Sequence, residues 1–325
     1  MKAAIVKDGA IVVEDRPVPE PSADQIVVRV HGAGLNRADL LQKAGGYPAP
    51  PGVPADIPGL EFAGVVEAIG PDVHGCKVGD RVFGITGGGA QAEYLLTAEA
   101  QVAPVPDGVD LVAAGGVPEA FVTAHDAMFT QAHLHPGETV LVHAVGSGVG
   151  TAALQLAKCI GATVVGTART QEKLDRCAEL GLDHGVLAPR DLDPKALAAQ
   201  IVDAVGDVNV TIDLVGGDYF GVDLAVAAVK GRVVVVGTLA GITAETSLLS
   251  LMVKRLEVRG TVLRSRPAHE KAAATHAFAG HVLPLLAAGS VKPIVEEVLP
   301  LDEAAKAYEL LASDSTFGKV VLDCT

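Results

Sequence analysis

A glycine-rich turn is the part of this sequence best suited to hold a phosphate. In VLVHAVGSGVGTAALQLAK, the residues Ser147, Gly148, Val149 and Gly150 separate a β-branched run from a segment with helical spacing. Glycine lets the backbone approach a pyrophosphate, and the amino end of a helix offers N–H groups and a favourable dipole to an anion. The strict GxGxxG spacing is absent. The segment therefore predicts dinucleotide binding; the alternative is a small-residue turn that only packs a helix on a sheet.

The residues after the next strand-like run indicate which dinucleotide is bound. NAD-binding proteins usually place an acidic residue about 20 residues after the turn, where it holds the adenosine 2′-hydroxyl. Here the strand ends in VVGTARTQEKL, and no acid occupies the expected region from Thr167 to Thr170. Arg169, Thr170 and Lys173 supply two cations and a hydroxyl, which suits a 2′-phosphate. We predict NADPH as the cofactor; the alternative is that Arg169 and Lys173 are ordinary solvated charges at the start of a helix.

The turn must be positioned by a regular array of strands and helices. From about residue 120, six strand-like runs alternate with five helix-like segments, from TVLVHA and GVGTAALQLAKCIG to TSLLSLMVKR and LEVRGTVLR. Wholly apolar runs such as VVVV suit parallel strands that are covered on both faces. The pattern predicts an α/β domain of the doubly wound Rossmann type with a six-stranded parallel sheet.

The residues before this array have a different pattern. Short β-branched runs such as DQIVVRVHGAGLN, EFAGVVEAIG and VGDRVFGI are separated by glycine and proline, which predicts an irregular β-barrel. Residues 47 to 58 carry five prolines and are expected to form a rigid surface loop. The tail after residue 264 contains two helix-like segments and ends in the strand-like run GKVVLD, and we expect it to return to the first domain.

Composition excludes several classes of partner. A formal net charge of −14 disfavours a nucleic-acid surface, which requires a basic face. The four cysteines show neither CxxC nor metal-finger spacing, which fits a reducing compartment. No signal peptide is recognisable, and the longest apolar stretch is interrupted by Lys230 and Arg232. We expect a cytoplasmic protein with no nucleic-acid or membrane partner.

A series of motifs gives the sequence a family resemblance. NRADLLQKAGGYPAPPG, IPGLEFAGVVEAIG, VGDRVFG, HAVGSGVGTAALQLAK, TARTQEKL, GRVVVVG and GKVVLD occur in order along the chain. Together they resemble the zinc-free, zeta-crystallin-like quinone oxidoreductases of the medium-chain dehydrogenase/reductase superfamily, whose phosphate loop has the form of the 147–150 turn. The resemblance implies a GroES-like irregular β-barrel of residues 1–119 and 265–325, a Rossmann NADP-binding domain of residues 120–264, and an active site in the cleft between them.

The resemblance also bears on metal binding. Alcohol dehydrogenases of the same superfamily hold a catalytic zinc through a cysteine in a GxCxxD-like stretch, a histidine in GHE and a third residue near the start of the second domain. Here Asn36 stands at the cysteine position and Leu60 at the histidine position, and GGVPEAFVTAH contains no cysteine. Leucine cannot coordinate zinc, and a catalytic zinc needs three protein ligands. We therefore expect no metal. Glu61 is expected in a buried salt bridge, and His143 to be packed or hydrogen-bonded.

Without zinc, the substrate must itself accept hydride readily, because no Lewis acid polarises its carbonyl. Quinones and α,β-unsaturated carbonyls meet this condition. The resemblance places Tyr47, in the family's GxYP motif, at the cleft, where its hydroxyl would hydrogen-bond a substrate oxygen or donate a proton; the alternative is a tyrosine packed on neighbouring prolines. Asn36 lies in the family's NRxD motif and either binds the nicotinamide ribose or substrate oxygen, or is only a turn residue.

The same resemblance implies residues for the rest of the cofactor. Thr123 matches a threonine that contacts the nicotinamide in relatives. The alternative is that Thr123 serves only in helix packing. Relatives often carry a tyrosine at the adenosine phosphate after the third Rossmann strand; here Ala188 stands there, and Arg190 is a possible substitute. The segments GTLAG and VLR match stretches that border the nicotinamide half and contribute Thr238, Leu239, Gly241, Val262, Leu263 and Arg264.

The function implied is NADPH-dependent reduction of a quinone. One alternative on the same scaffold is an enone or enoyl-thioester reductase, which must also deliver a proton to carbon. Another is a catalytically silent NADPH-binding protein. Because relatives join their sheets through the edge strand LEVRGTVLR, we also expect a homodimer.

Overall fold

The computed structural model describes residues 1–191 and 193–325, which form two compact units. Unit 1 contains Met1–Val122 and Leu263–Thr325, and unit 2 contains Thr123–Val262. Within the described residues, no helix combines the length and apolar character needed to cross a membrane.

Most of the regular elements in the first 125 residues are strands, as the glycine- and proline-punctuated sequence predicts. The strands are β1 (Lys2–Lys7), β2 (Ala10–Asp15), β3 (Gln25–Gly34), β4 (Glu61–Ile69), β5 (Arg81–Ile85), β6 (Tyr94–Ala98) and β7 (Val102–Pro104). The helices are α1 (Arg37–Lys43), α2 (Leu111–Ala114) and α3 (Pro118–His125).

Unit 2 alternates strands with helices. Its strands are β8 (Thr139–Val142), β9 (Thr163–Ala168), β10 (His184–Leu187), β11 (Val208–Asp213), β12 (Ala227–Val235) and β13 (Glu257–Gly260). Its helices are α4 (Gly148–Cys159), α5 (Gln171–Glu179), α6 (Pro194–Val205), α7 (Tyr219–Val226) and α8 (Leu248–Lys254).

The six strands of unit 2 form one parallel sheet in the order β10-β9-β8-β11-β12-β13. The sequence order reverses between β8 and β11, so the loops that follow these two strands open at the carboxyl edge where such sheets bind ligands. Val140, Leu141 and Val142 of β8 are fully buried, because helices cover both faces of a doubly wound sheet. The predicted six-stranded Rossmann architecture is confirmed.

The chain then returns to unit 1 through α9 (Ala268–Ala287), β14 (Val295–Pro300), α10 (Ala304–Ala312) and β15 (Lys319–Asp323). The resulting sheet has the order β14-β15-β3-β4-β5-β7, with β6 also paired to β3. Strand β15 runs antiparallel to β3, with Val321 opposite Gly34. This pairing brings Lys319, near the end of the chain, beside the loop that follows β3.

Candidate functional site

The predicted phosphate turn is a capped helix start. Ser147 is the N-cap of α4, and its Oγ accepts a hydrogen bond of 3.1 Å from the backbone N–H of Gly150. The N–H groups of Gly148 and Val149 stand in the first helical turn, where no intrahelical acceptor exists. Two backbone donors and the positive end of the helix dipole thus face outward at the carboxyl end of β8, which fits a pyrophosphate.

Close packing inside the turn explains why residue 150 is a glycine. A Cβ on Gly150 would lie 2.5 Å from the carbonyl oxygen of Ala144 and 2.6 Å from that of Val145, so any larger residue would displace the helix start. Ala144 has φ of 50°, a left-handed conformation that few non-glycine residues adopt. Glycine is therefore required where the helix meets the turn.

The three predicted 2′-phosphate residues follow strand β9 directly. Arg169 is the first residue after the strand and is partly buried, and Thr170 is the N-cap of α5. The hydroxyl of Thr170 accepts a hydrogen bond of 3.4 Å from the backbone N–H of Lys173. Burial lowers the pKa of Arg169, and the like charge of Arg190 lowers it further. Arg190, which follows β10, therefore lies close enough to Arg169 for the two charges to interact.

Tyr219 is an aromatic residue at this edge that the sequence analysis missed. It is the first residue of α7, directly after Asp218 and the pair Gly216 and Gly217, which both have positive φ. Its ring is partly buried. Burial raises the pKa of its phenol, and the positive charge of Arg169 opposes this effect. The available sequence signal was a tyrosine just after a glycine pair at the end of a parallel strand.

His143 anchors this aromatic ring, and it is hydrogen-bonded as predicted. The His143 and Tyr219 rings meet edge to face with centroids 4.8 Å apart. Nδ1 of His143 lies 2.9 Å from the Thr167 hydroxyl, and Nε2 lies 2.9 Å from Oδ1 of Asp223. Burial lowers the pKa of His143 to about 4 and raises the pKa of Asp223 well above its ordinary value. Burial therefore disfavours the charged form of both groups.

The residues assigned to the nicotinamide half are spread along the chain. Thr123 is buried in α3, and Val262 is 50% exposed. The loop after β12 is held to the loop after β11 by a hydrogen bond of 2.8 Å from the Ala240 N–H to the Val215 carbonyl. The predicted residues are divided between the units, with Thr123, Thr238, Leu239, Gly241 and Val262 in unit 2, and Leu263 and Arg264 in unit 1.

Arg264 is engaged within unit 1, around Tyr47. Its guanidinium donates to the carbonyl of Gly87 (2.8 Å), the carbonyl of Tyr47 (3.0 Å) and Oε1 of Gln42 (2.6 Å). It also lies 4.7 Å from the centre of the Tyr47 ring, a cation–π geometry. Burial raises the pKa of the Tyr47 phenol, so this group is protonated at neutral pH. Arg264 thus fixes both the backbone and the ring of Tyr47.

Asn36 belongs to a buried polar cluster. Its Nδ2 donates to Oε1 of Glu61 (2.9 Å), and its Oδ1 accepts from Nζ of Lys319 (2.8 Å). Lys319 also pairs with Glu61 at 2.6 Å, so the predicted buried salt bridge of Glu61 is present. Asn36 is the N-cap of α1, and its backbone N–H donates to Asp39 at 2.8 Å.

Glu119 borders this cluster and was also missed by the sequence analysis. Its backbone N–H donates to Oε2 of Glu61 at 2.9 Å. The side chain is partly buried, and its pKa is raised to about 8, first by burial and then by the negative charge of Glu61, while Lys319 opposes the shift. Glu119 also lies close enough to Tyr47 for the two side chains to interact electrostatically. Glu119 is therefore a carboxyl group that is mostly protonated at pH 7 in the neighbourhood of Tyr47.

The first two of the three zinc-ligand positions that the resemblance implies are occupied by Asn36 and Leu60. Leu60 is buried and apolar, and the Asn36 amide is bonded to Glu61 and Lys319. Within residues 1–191 and 193–325, no group of three His, Cys, Asp or Glu side chains is arranged to hold a metal ion.

Comparison with known families and proteins covers both units. Residues 22–107 match the family described as alcohol dehydrogenase GroES-like domain, and residues 148–279 match the family described as zinc-binding dehydrogenase. The chain is 33% identical over 314 residues to the quinone oxidoreductase of Rattus norvegicus, which corresponds to 95% of this chain and 92% of that protein.

Similar solved structures also cover nearly the whole chain. The quinone oxidoreductase of Thermus thermophilus, whose structures include a complex with NADPH, superposes with a TM-score of 0.84 at 32% identity, over 99% of this chain and all of that one (100%). The CurK enoyl reductase superposes with a TM-score of 0.85 at 25% identity, over 99% of both chains. The similarity therefore extends over the whole length of the molecule.

Proposed function

Because the chain belongs to the quinone oxidoreductases of the medium-chain dehydrogenase/reductase superfamily, we propose that it reduces quinones with NADPH. The observation that carries the proposal is the Ser147-capped turn at the carboxyl end of β8, in a chain that is similar to quinone oxidoreductases over almost its full length. The bound dinucleotide supplies the hydride, and the residues of the chain bind, orient and protonate.

The cofactor residues proposed for unit 2 are the hydrogen-bond donors and cations that follow β8 and β9. The turn formed by Ser147, Gly148, Val149 and Gly150 takes the pyrophosphate. Arg169, Thr170 and Lys173 take the adenosine 2′-phosphate, because cations and a hydroxyl suit a dianion that an acidic residue would repel. The NADPH complex of the Thermus thermophilus protein supports this choice over NADH. The proposed residues for the nicotinamide half are Thr123, Thr238, Leu239, Gly241, Val262 and Leu263. Arg264, which the resemblance also implies, is proposed instead to position Tyr47, because its guanidinium is bonded to Gly87, Tyr47 and Gln42.

The proposed reaction uses no zinc. Leu60 offers no donor atom, and the Asn36 amide is bonded on both sides within unit 1. Zinc would stabilise the negative charge that develops on a carbonyl oxygen. Without that stabilisation, substrates that delocalise the added electrons are favoured, and a quinone does so because its product is aromatic.

Tyr47 is the proposed contact for the quinone oxygen. Arg264 holds its ring and backbone in one conformation, and its phenol is protonated at neutral pH. A fixed O–H donor orients an acceptor at little entropic cost. Asn36 is also proposed for the site, on the family resemblance alone, as a contact of the substrate oxygen or the nicotinamide ribose.

An enone or enoyl-thioester reductase is the second candidate. The structural similarity to the CurK enoyl reductase supports it. Such an enzyme must protonate a carbon atom, so it depends more strongly on a positioned acid.

We further propose that the protein is a homodimer joined along β13. This strand is the edge of the unit 2 sheet, and the outer backbone N–H and C=O groups of an edge strand can pair with another chain. Val258 on the strand is 40% exposed, and Leu248, Met252 and Val253 on α8 are 69%, 72% and 68% exposed. Light scattering of the purified protein is expected to give twice the chain mass of 33.0 kDa, and a monomeric mass would contradict the proposal.

A substrate panel tests the proposed reaction. Purified protein is mixed with NADPH and, in turn, a simple benzoquinone, an enone and an enoyl thioester, and the loss of NADPH absorbance is followed. Steady oxidation with the quinone as the best acceptor is expected. Faster turnover of the enoyl thioester would favour the second candidate, and binding of NADPH without turnover of any acceptor would identify a silent binding protein.

A further inference from the structure

We propose that Tyr219 is a further contact of the adenosine 2′-phosphate and helps to select NADPH over NADH. The proposal rests on the NADPH dependence proposed above and adds a residue from a third strand end to the site.

The position of Tyr219 is fixed by contacts within unit 2. The residue begins α7 after β11, and its ring is turned towards β8 and β9 by the edge-to-face contact with His143 at 4.8 Å. His143 directly follows β8 and is bonded at 2.9 Å to Thr167 on β9. Arg169 stands two residues beyond Thr167. The phenol of Tyr219 and the guanidinium of Arg169 are thus brought to the same edge of the sheet.

The charges at this edge indicate an anion. Arg169 and Arg190 follow neighbouring strands, and the positive charge of Arg190 lowers the pKa of Arg169. A dianionic phosphate beside them removes this repulsion and accepts hydrogen bonds from both. Because NADH has a neutral hydroxyl at the same position, the benefit is specific to NADPH.

Tyr219 suits the third contact because it adds a donor without adding charge. Burial raises the pKa of its phenol, so the O–H group is present at neutral pH. The supporting His143 is neutral as well, since its pKa is lowered to about 4. A hydrogen bond from a phenol to a phosphate is charge-assisted, and such bonds are worth roughly a factor of ten or more in affinity.

Calorimetry with two adenosine nucleotides isolates this contact. Adenosine 2′,5′-bisphosphate and AMP are titrated into wild-type protein, Tyr219→Phe and the control Tyr94→Phe. The phenylalanine keeps the ring against His143 and removes only the hydroxyl. We expect Tyr219→Phe to bind the bisphosphate about tenfold more weakly, with unchanged affinity for AMP. Tyr94 lies on β6 in unit 1, so its variant is expected to match wild type for both ligands.

Each other outcome has a definite meaning. If wild type prefers the bisphosphate and Tyr219→Phe binds it equally well, the Tyr219 proposal is overturned while the NADPH proposal stands. An equal loss of affinity for both nucleotides also overturns the Tyr219 proposal, because the hydroxyl then acts on a part of the molecule that the bisphosphate and AMP share. If wild type itself shows no preference, both proposals fail together.

Discussion

The guanidinium of Arg264 lies 4.7 Å from the centre of the Tyr47 ring and donates a hydrogen bond of 3.0 Å to the Tyr47 backbone carbonyl. One side chain thereby fixes both the direction of the ring and the path of the chain that carries it. The family resemblance assigns Arg264 to the cofactor, whereas these contacts make it a positioning residue for Tyr47. A cofactor contact predicts a loss of NADPH affinity on substitution, and a positioning role predicts a loss of quinone reduction.

Arg264→Lys is expected to impair quinone reduction while sparing cofactor binding. Lysine keeps the charge but cannot make the three directed hydrogen bonds to Gly87, Tyr47 and Gln42. We expect kcat/KM for the quinone to fall about tenfold through lost orientation of Tyr47. The Kd for NADPH, measured by fluorescence titration, should stay within about twofold. A large loss of NADPH affinity with normal use of the quinone would instead support a direct cofactor contact.

Tyr47→Phe distinguishes the two candidate reactions. A quinone accepts hydride without a strong acid, because aromatisation drives the step and water can protonate the oxygen. We therefore expect at most about a tenfold loss of turnover for Tyr47→Phe, and a larger loss for Tyr47→Ala, which also removes the ring packed on Arg264. A positioned proton donor is typically worth about 10² to 10⁴ in rate. A hundredfold loss for the phenylalanine variant, with cofactor affinity unchanged, would favour the enone or enoyl reductase.

Removing the two cations after β9 should abolish the preference for NADPH. Two charge-assisted contacts correspond to roughly a hundredfold or more in affinity. The double variant Arg169→Ala with Lys173→Ala is expected to weaken NADPH by about this factor and to leave NADH nearly unchanged. Lys195→Ala removes an exposed cation from α6 in the same unit and serves as the control. Equal affinities of the wild type for both cofactors would refute the assignment.

Activity should be independent of metal, because Leu60 cannot ligate zinc and Asn36 is committed to Glu61 and Lys319. Turnover before and after dialysis against a strong chelator is expected to be the same, and elemental analysis of active protein should show no stoichiometric zinc. Loss of turnover on chelation that is restored by added zinc would show that the reaction depends on zinc.

Glu119 should make unit 1 less stable as the pH rises. Its pKa is about 8 in the folded protein and near the ordinary 4.5 in the unfolded chain, so between these values only the unfolded chain releases the proton. The folded state is therefore disfavoured progressively from pH 4.5 to pH 8, on the order of 1 kcal/mol per pH unit.

Glu119→Gln removes this titration. Unfolding in urea is followed by circular dichroism at pH 5.5 and pH 8. The free energy of unfolding of the variant, relative to that of wild type, should rise by roughly 1 kcal/mol per pH unit between these values. Glu20→Gln, which changes an exposed carboxylate of unit 1, should differ from wild type by the same amount at both pH values. A difference for Glu119→Gln that does not change with pH would contradict the raised pKa.

Local sequence patterns predicted much of the fold. The alternation of apolar runs and helical segments depends on neighbours in the chain, and it was sufficient to predict the six-stranded parallel sheet of unit 2. The Ser147 turn was recognisable for the same reason, since its cap and its glycines lie within four residues of one another.

The polar clusters were not predictable in this way, because their members are far apart in sequence. Lys319 meets Asn36 across 283 positions, and Arg264 meets Gln42 across 222. Only the pairing of β15 with β3 makes the first contact possible. The raised pKa of Glu119 depends on its burial beside Glu61, which no local pattern near residue 119 reveals.

The placement of Lys319 on β15 also sets an order of events during synthesis. Every residue of unit 2 leaves the ribosome before β15 does, so unit 2 can fold while unit 1 still lacks a strand. Until β15 is delivered, Glu61 and Asn36 lack the cation of Lys319, and the Gly32–Gly34 end of β3 lacks its partner strand. In a nascent chain stalled before residue 319, the Met1–Val122 part of unit 1 should therefore stay accessible to chaperones and proteases, although it is translated first.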